Sequence, residues 1–129
     1  MRKLLLSLLF CLVLTGCTAQ AIIPRAGVYG MSVPPDTVAV PALLLDAETG
    51  FFAFSYDALA SYHPFGSYMR QGNMIVLTTM DGLYTYRFRV VNETTLAFIA
   101  EGSADVSLTD PAIGAQITEG SVFLLREDE

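Results

Sequence analysis

His63 is the only histidine in this 129-residue chain, so any imidazole chemistry must run through it. Asp57 and Ser61 lie just upstream, and Ser55 and Ser67 flank the segment. A Ser–His–Asp hydrolase needs nucleophile, base and orienting carboxylate within hydrogen-bond reach, commonly with the nucleophile on a sharp strand-to-helix elbow. No elbow of that kind surrounds His63, which reads more simply as a loop residue. Asp46, Glu48, Asp57, Asp81 and Asp110 are the candidates for a paired-carboxylate glycosidase. They fall mostly in turns, where Asp is a turn former anyway. Glu101, Asp105 and Asp110 share a polar stretch but lack the alternating oxygen ligands of a calcium loop. The aromatics are a richer set: eight Phe, six Tyr and no Trp. Tyr56, Tyr62, Tyr68, Tyr84 and Tyr86 cluster in three neighbouring segments. A buried Tyr needs a partner for its hydroxyl and so favours a rim, ring inward. These five are the candidate ligand-binding residues, lining a mouth for a small apolar or sugar-like ligand. The plainer alternative is a core and rim that use Tyr.

Cys17 carries a different chemistry. Arg2 and Lys3 form a short positive n-region, and Leu4 to Leu14 is apolar except for Ser7. That run has the length of a signal-peptide h-region and falls short of the roughly 20 residues a spanning helix needs. Leu14-Thr15-Gly16-Cys17 follows, and it resembles the lipobox of bacterial lipoproteins: an aliphatic residue, two small residues, then cysteine. The resemblance implies diacylglyceryl transfer to the Cys17 thiol, cleavage before it, and a mature protein held on the extracytoplasmic face of a membrane. Two chains on one cysteine supply the two signals that stable anchoring takes. Thr18, not Asp, follows the cysteine, which in a host with two membranes implies the outer one. Residues 1–16 are thus expected to be a signal peptide, 17–25 the lipidated cysteine and a short tether, and 26–129 a single β-domain.

Processing changes the composition. Removing sixteen residues leaves 113, enough for one compact domain. Cys11 goes with the signal and Cys17 is acylated, so no disulfide, thiolate metal site or catalytic thiol is expected. A lone histidine without thiols excludes the common zinc sets, and no glycine-rich phosphate cradle occurs; no cofactor is expected. Losing Arg2 and Lys3 takes seven cations to five, all arginine, against thirteen carboxylates, a net charge of −8. Such a balance suits neither phosphate backbones nor anionic headgroups, and so disfavours nucleic acid as a partner.

The elements that must position these residues are strands and turns. Short strands are expected over 27–32, 42–46 and 51–56, with Pro34-Pro35-Asp36 and Ala47-Glu48-Thr49-Gly50 between them. Phe52, Phe54 and Tyr56 share one face of the third strand. Asp57 to Tyr62 suggests one helical turn capped by Asp57, ended by His63-Pro64. Strands over 66–71 and 74–79 meet at Gly72-Asn73, and Asp81-Gly82 signals a hairpin. From Leu83 to Val91, Tyr84, Tyr86, Phe88 and Val90 point one way and Thr85, Arg87 and Arg89 the other, a half-buried antiparallel strand. Strands over 95–100 and 121–126 flank a polar loop from Glu101 to Glu119. About eight strands joined by successive hairpins predict an all-β, up-and-down, lipocalin-like barrel or half-barrel, with a β-sandwich as the alternative.

From Phe52 to Phe123 the chain also resembles small uncharacterised extracytoplasmic domains of Gram-positive bacteria, found as short lipoproteins and as tails on regulatory peptidases. The likeness lies in Phe52-x-Phe54-Ser55-Tyr56, Ser61-Tyr62, Gly66-x-Tyr68, Leu77-Thr78-Thr79-x-Asp81-Gly82-x-Tyr84-x-Tyr86-x-Phe88, Leu96-x-Phe98 and Gly120-x-x-Phe123. It implies a fold and no activity. The expected function is a membrane-anchored, non-enzymatic binding or sensor domain for a small ligand or an envelope protein. A small cell-envelope hydrolase using His63 is the alternative.

Overall fold

The computed structural model describes residues 22–127. Residues 1–21, which include the lipobox and Cys17, and residues 128–129 lie outside the described residues. The described chain is all-β, with eight strands: β1 (Gly27–Met31), β2 (Ala42–Asp46), β3 (Phe51–Ser55), β4 (Phe65–Gln71), β5 (Met74–Thr79), β6 (Thr85–Asn92), β7 (Thr95–Ile99) and β8 (Val122–Leu125). Each pairs with the next in chain order, and β8 returns to β1, closing an up-and-down barrel. The closing register sets Tyr29 opposite Leu125, Gly30 opposite Leu124 and Met31 opposite Phe123. This pairing sets the barrel apart from the sandwich, in which two separate sheets would leave their edges unpaired to one another.

The alternation that builds the barrel is clearest in β3, where Phe52 and Phe54 are buried between exposed Phe51, Ala53 and Ser55. In β6, Tyr86, Phe88 and Val90 are buried. A period of two places one face of each strand inside a closed sheet. Tight turns join the strands at one end of the barrel. At Gly72 the backbone takes φ 63°, a left-handed conformation that a side chain would oppose. Asn92 begins another turn, its Oδ1 accepting the Thr94 amide at 2.9 Å. Val90 to Asn92 carries a bulge against β7. The described chain enters β1 after Arg25 and leaves β8 at Arg126 at this turn end.

The opposite, loop end carries the segments 32–41, 56–64, 80–84 and 100–121. No helical turn forms over 57–62. Asp57 instead folds a turn, with its Oδ1 accepting the Leu59 amide at 3.1 Å and its carbonyl accepting the Ala60 amide at 3.3 Å.

The interior is filled. Phe54 packs against Tyr56, Tyr86, Phe88 and Phe123 with ring centroids 5.3, 5.2, 5.7 and 6.3 Å apart. Phe88 adds edge-on contacts to Phe98 at 5.5 Å and Phe123 at 5.2 Å. Edge-to-face pairs of this kind add about 0.5–1.5 kcal/mol each beyond the area they bury. Val106 and Ile117 reach down from the 100–121 loop to join this core. At the turn end, Tyr29 closes the floor by donating its hydroxyl to the Arg25 carbonyl at 2.6 Å and the Glu93 carbonyl at 3.2 Å. Burial in that floor pushes the Tyr29 phenol up to about 12.

Candidate functional site

The loop end is held together by side-chain hydrogen bonds across loops distant in sequence. Asp57 Oδ2 accepts the Thr109 amide at 2.8 Å and the Thr109 hydroxyl at 2.7 Å, joining the 56–64 and 100–121 loops. Gln116 Nε2 donates to the carbonyls of Val106 and Ile117, both at 3.0 Å, and so sets those two apolar residues over the barrel interior. The Ala39 amide reaches the Ile113 carbonyl at 3.0 Å, bringing in the 32–41 loop. The polar stretch expected between the last strands is therefore a plug with two apolar residues facing inward.

Asp57 is central to this plug. The Thr109 hydroxyl above all, then the Thr109 and Leu59 amides, hold its carboxyl below the usual carboxylate range against the opposing effect of burial. A depressed carboxyl contributes stability that is complete above its unfolded value, about 3.9, and disappears as pH falls through the folded value. The protection factor of the Thr109 amide should therefore hold from neutral pH down to about pH 4 and decline below it. In Asp57→Ala the protection should be lost at every pH while the β5 and β6 amides keep theirs. Unchanged protection in that variant would mean that Val106 and Ile117 hold the loop without Asp57.

The five candidate tyrosines divide among three places. Tyr86 is 1% exposed, a core residue inside β6, and Tyr56 packs half-buried beside it with ring centroids 6.4 Å apart. Burial, and then the neighbouring Tyr56 phenol, push the Tyr86 phenol well above its ordinary value. Tyr62 and Tyr84 form a second, exposed pair, edge-on at 5.3 Å. The Tyr62 hydroxyl donates to Asp81 Oδ2 at 2.8 Å. Asp81 Oδ1 accepts the Thr79 hydroxyl at 2.6 Å and the Leu83 amide at 3.0 Å. Tyr84 precedes β6 instead of sharing its inward face, because Thr79 grips it from both sides: its amide donates to Thr79 Oγ1 and its carbonyl accepts the Thr79 amide, each at 3.0 Å. Tyr68 lies in β4 toward the turn end, packed half-buried against the core. The rim thus holds Tyr62 and Tyr84 as an ordered exposed pair, with Tyr56 and Tyr86 beneath and Tyr68 apart.

His63 stands exposed in the 56–64 loop. Among the described residues no hydrogen bond joins it to Asp57 or Ser61, and Asp57 spends its oxygens on Leu59 and Thr109. No group of three or more His, Cys, Asp or Glu is placed to hold a metal ion among the described residues. Asp105 accepts the Ser107 hydroxyl at 2.6 Å and Asp110 accepts the Ala112 amide at 3.0 Å, so each acts as a local turn former.

Two surface features escaped the sequence reading. The first is an apolar groove of about 390 Å³ on the outer wall, lined by Val28, Ala42, Leu44, Ala53, Pro64 and Phe65 together with Ser55 and His63. The second is a cleft of about 410 Å³ at the turn end, where β1 meets β8, lined by Arg25, Gly27, Val28, Leu125, Arg126 and Glu127. Val28 lines both. Charge is also unevenly distributed. Asp36, Asp57, Asp81, Asp105 and Asp110, with Glu101 and Glu119, lie in loop-end segments, whereas at or toward the turn end Arg25, Arg70, Arg89 and Arg126 stand among Asp46, Glu48, Glu93 and Glu127. Compared with known proteins, the chain matches no family model, no curated protein and no solved structure.

Proposed function

We propose that this protein is a lipid-anchored, extracytoplasmic binding domain that recognises a macromolecular partner with its outer surface at the loop end, and that it is not an enzyme. The observation that carries the reading is the filled interior. A barrel of eight strands has room for side chains or for one small ligand, and here Phe54, Phe88, Phe98 and Phe123 take that room under a plug of Val106 and Ile117. Recognition then falls to the exterior. The Tyr62–Tyr84 pair supplies large, orientationally fixed, exposed rings, the kind of side chain that anchors protein interfaces. It stands at the end opposite Arg25, from which the tether to Cys17 departs, so an anchored barrel presents this pair away from the bilayer.

The test uses the full chain in a bacterial host. Incorporation of labelled palmitate is expected in the parent and not in Cys17→Ser. A photo-cross-linking residue at position 84 should capture one defined envelope protein, and capture should disappear with Tyr62→Ala. The same residue at position 48, in a turn-end loop, should capture nothing comparable. Equal capture from both positions, or indifference to Tyr62, would remove the loop end as the recognition surface. Palmitate labelling that survives Cys17→Ser would remove the anchor.

A further inference from the structure

We infer, resting on the reading of the loop end as the recognition surface, that Tyr62, Tyr84 and Asp81 receive an arginine or lysine side chain of a basic polypeptide partner. A guanidinium or ammonium group is drawn to the face of a phenol ring within about 6 Å of its centroid. A carboxylate beside the ring adds a charge-assisted hydrogen bond. Both elements are present here. The two rings meet at 66° with centroids 5.3 Å apart, so they form the adjoining walls of a corner and not a closed stack. Tyr62 is 40% and Tyr84 41% exposed, which leaves ring surface open to a partner. The Tyr62 hydroxyl on Asp81 Oδ2 fixes the carboxylate beside that corner. Oδ1 is taken by the Thr79 hydroxyl and the Leu83 amide, whereas Oδ2 keeps a second lone pair to offer. The Thr79 hydroxyl foremost, then the Leu83 amide and the Tyr62 hydroxyl, hold the Asp81 carboxyl below the usual carboxylate range, so it stays ionised at neutral pH.

Two observations select a basic polypeptide as the occupant. The first is charge complementarity. Among the described residues, the loop end sets seven carboxylates against the guanidinium of Arg87 and the imidazole of His63. The turn end balances four carboxylates with four arginines. The excess negative charge of the barrel therefore lies on the end that carries the pair. Two of those carboxylates stand beside the Tyr56 phenol, under the pair: burial foremost, with Asp57 and Asp105 adding to it, raises that phenol above its ordinary value. Arg87 does not neutralise the corner, because its guanidinium donates to the Glu101 carbonyl at 3.3 Å and lies against Gly102 in another loop. Such a field draws in a cationic segment and repels an acidic one. The second observation is the apolar surround. Leu59, Met80 and Leu83 are exposed in the same two loops as the tyrosines. They give the alkyl stems of long basic side chains a surface to lie on. A small free cation would leave them uncovered, whereas a polypeptide covers them.

The full chain, purified in a neutral detergent, should bind a fluorescein-labelled peptide of alternating arginine and glycine, read by anisotropy, and salt should weaken the binding. The same peptide with glutamine in place of arginine should not bind comparably. Tyr62→Leu with Tyr84→Leu leaves the charge of the protein unchanged and should lower the affinity about tenfold or more. Tyr62→Phe with Tyr84→Phe keeps both rings and should retain most of it. Asp81→Asn should also cost about tenfold, whereas Asp46→Asn, which removes the same charge at the turn end, should cost about twofold or less. Because the leucine pair could also disturb the rim, the unaltered protein supplies a second readout. With its tyrosines isotopically labelled, the ring resonances of Tyr62 and Tyr84 should shift on addition of the arginine peptide, and those of Tyr29 at the turn end should not. Absence of binding, equal binding of the glutamine peptide, equal losses from Asp81→Asn and Asp46→Asn, or ring shifts shared by Tyr29 would each overturn the inference. The cross-link at position 84 separates it from the reading beneath it. Capture through a partner segment without arginine or lysine overturns the basic occupant and leaves the loop end as the recognition surface, whereas no capture removes the surface itself.

Discussion

Phe54→Ala is expected to destabilise the barrel by about 3–5 kcal/mol, against the roughly 5–15 kcal/mol that holds a typical domain folded. Phe54 is 1% exposed and its ring touches four other aromatic rings, from β6, β8 and the segment after β3. Truncation removes the transfer free energy of the ring and leaves a cavity that its neighbours, fixed on three different strands or loops, are poorly placed to fill. In urea, with a slope of roughly 1–3 kcal/mol per molar, the unfolding midpoint should fall by about 1 M or more. Phe51→Ala is the control on the same strand, since Phe51 is 48% exposed on the outward face. It should change stability by about 0.5 kcal/mol or less. Midpoints that fall equally for the two variants would contradict an interior filled around Phe54.

Gly66→Ala should have a comparable effect through a different mechanism. Gly66 sits in β4 opposite Phe52 on one side and Thr79 on the other. A Cβ at this position would run into the Thr78 carbonyl oxygen and approach the Met80 nitrogen to 2.8 Å and the Thr79 carbonyl carbon to 2.9 Å. All three are backbone atoms of the paired segment, so relief requires displacing β5 and with it the hydrogen bond from the Met80 amide to the Phe65 carbonyl at 2.9 Å. Overpacking costs about 1–3 kcal/mol when side chains can yield. Here the upper end applies, giving a Tm drop of about 10 °C or more for a domain of this size. Gly72→Ala offers the contrast: nothing lies within 4 Å of its Cβ direction, and the penalty is the left-handed backbone alone, about 1–2 kcal/mol. If Gly66→Ala is the milder of the two, β4 and β5 do not approach as closely as the pairing indicates.

The barrel was largely readable in the sequence because most strands carry the period-two signal and most connections are short. Phe52, Phe54, Phe88 and Val90 could be placed inside from alternation alone, and Asp81-Gly82 fixed a hairpin. Where the signal was absent, so was the reading. Leu43, Leu44 and Leu45 are apolar in succession, so nothing in β2 distinguishes the outward Leu44 from its inward neighbours, and the apolar wall stayed hidden. Phe65 follows His63-Pro64 and looked like the end of a loop, whereas it begins β4. Val106 and Ile117 sit in a polar stretch with no period, so their role as a plug depends on Asp57 and Gln116, contacts no local pattern encodes. The tyrosines were grouped because they are close in sequence. β4 runs from the loop end to the turn end, carrying Tyr68 away from the rim within three residues, and the grip of Thr79 turns Tyr84 out while Tyr86 turns in. The Arg25–Arg126 cleft joins the two ends of the described chain and is invisible until the first strand meets the last.

That meeting of β1 with β8 also governs the order in which the molecule can be completed. Tyr29 finds Leu125 across nearly the whole length of the described chain, and contacts so distant in sequence form slowly, because the chain must be looped before they repay it. A polypeptide delivered from its N-terminus, whether by a ribosome or through a translocation channel, has two open sheet edges until its final strand arrives. Phe123, a member of the central aromatic group, arrives with that strand. An unfinished chain therefore remains loose enough to thread, and exposed to any holdase that binds unpaired strands. Closure of the barrel therefore waits for β8.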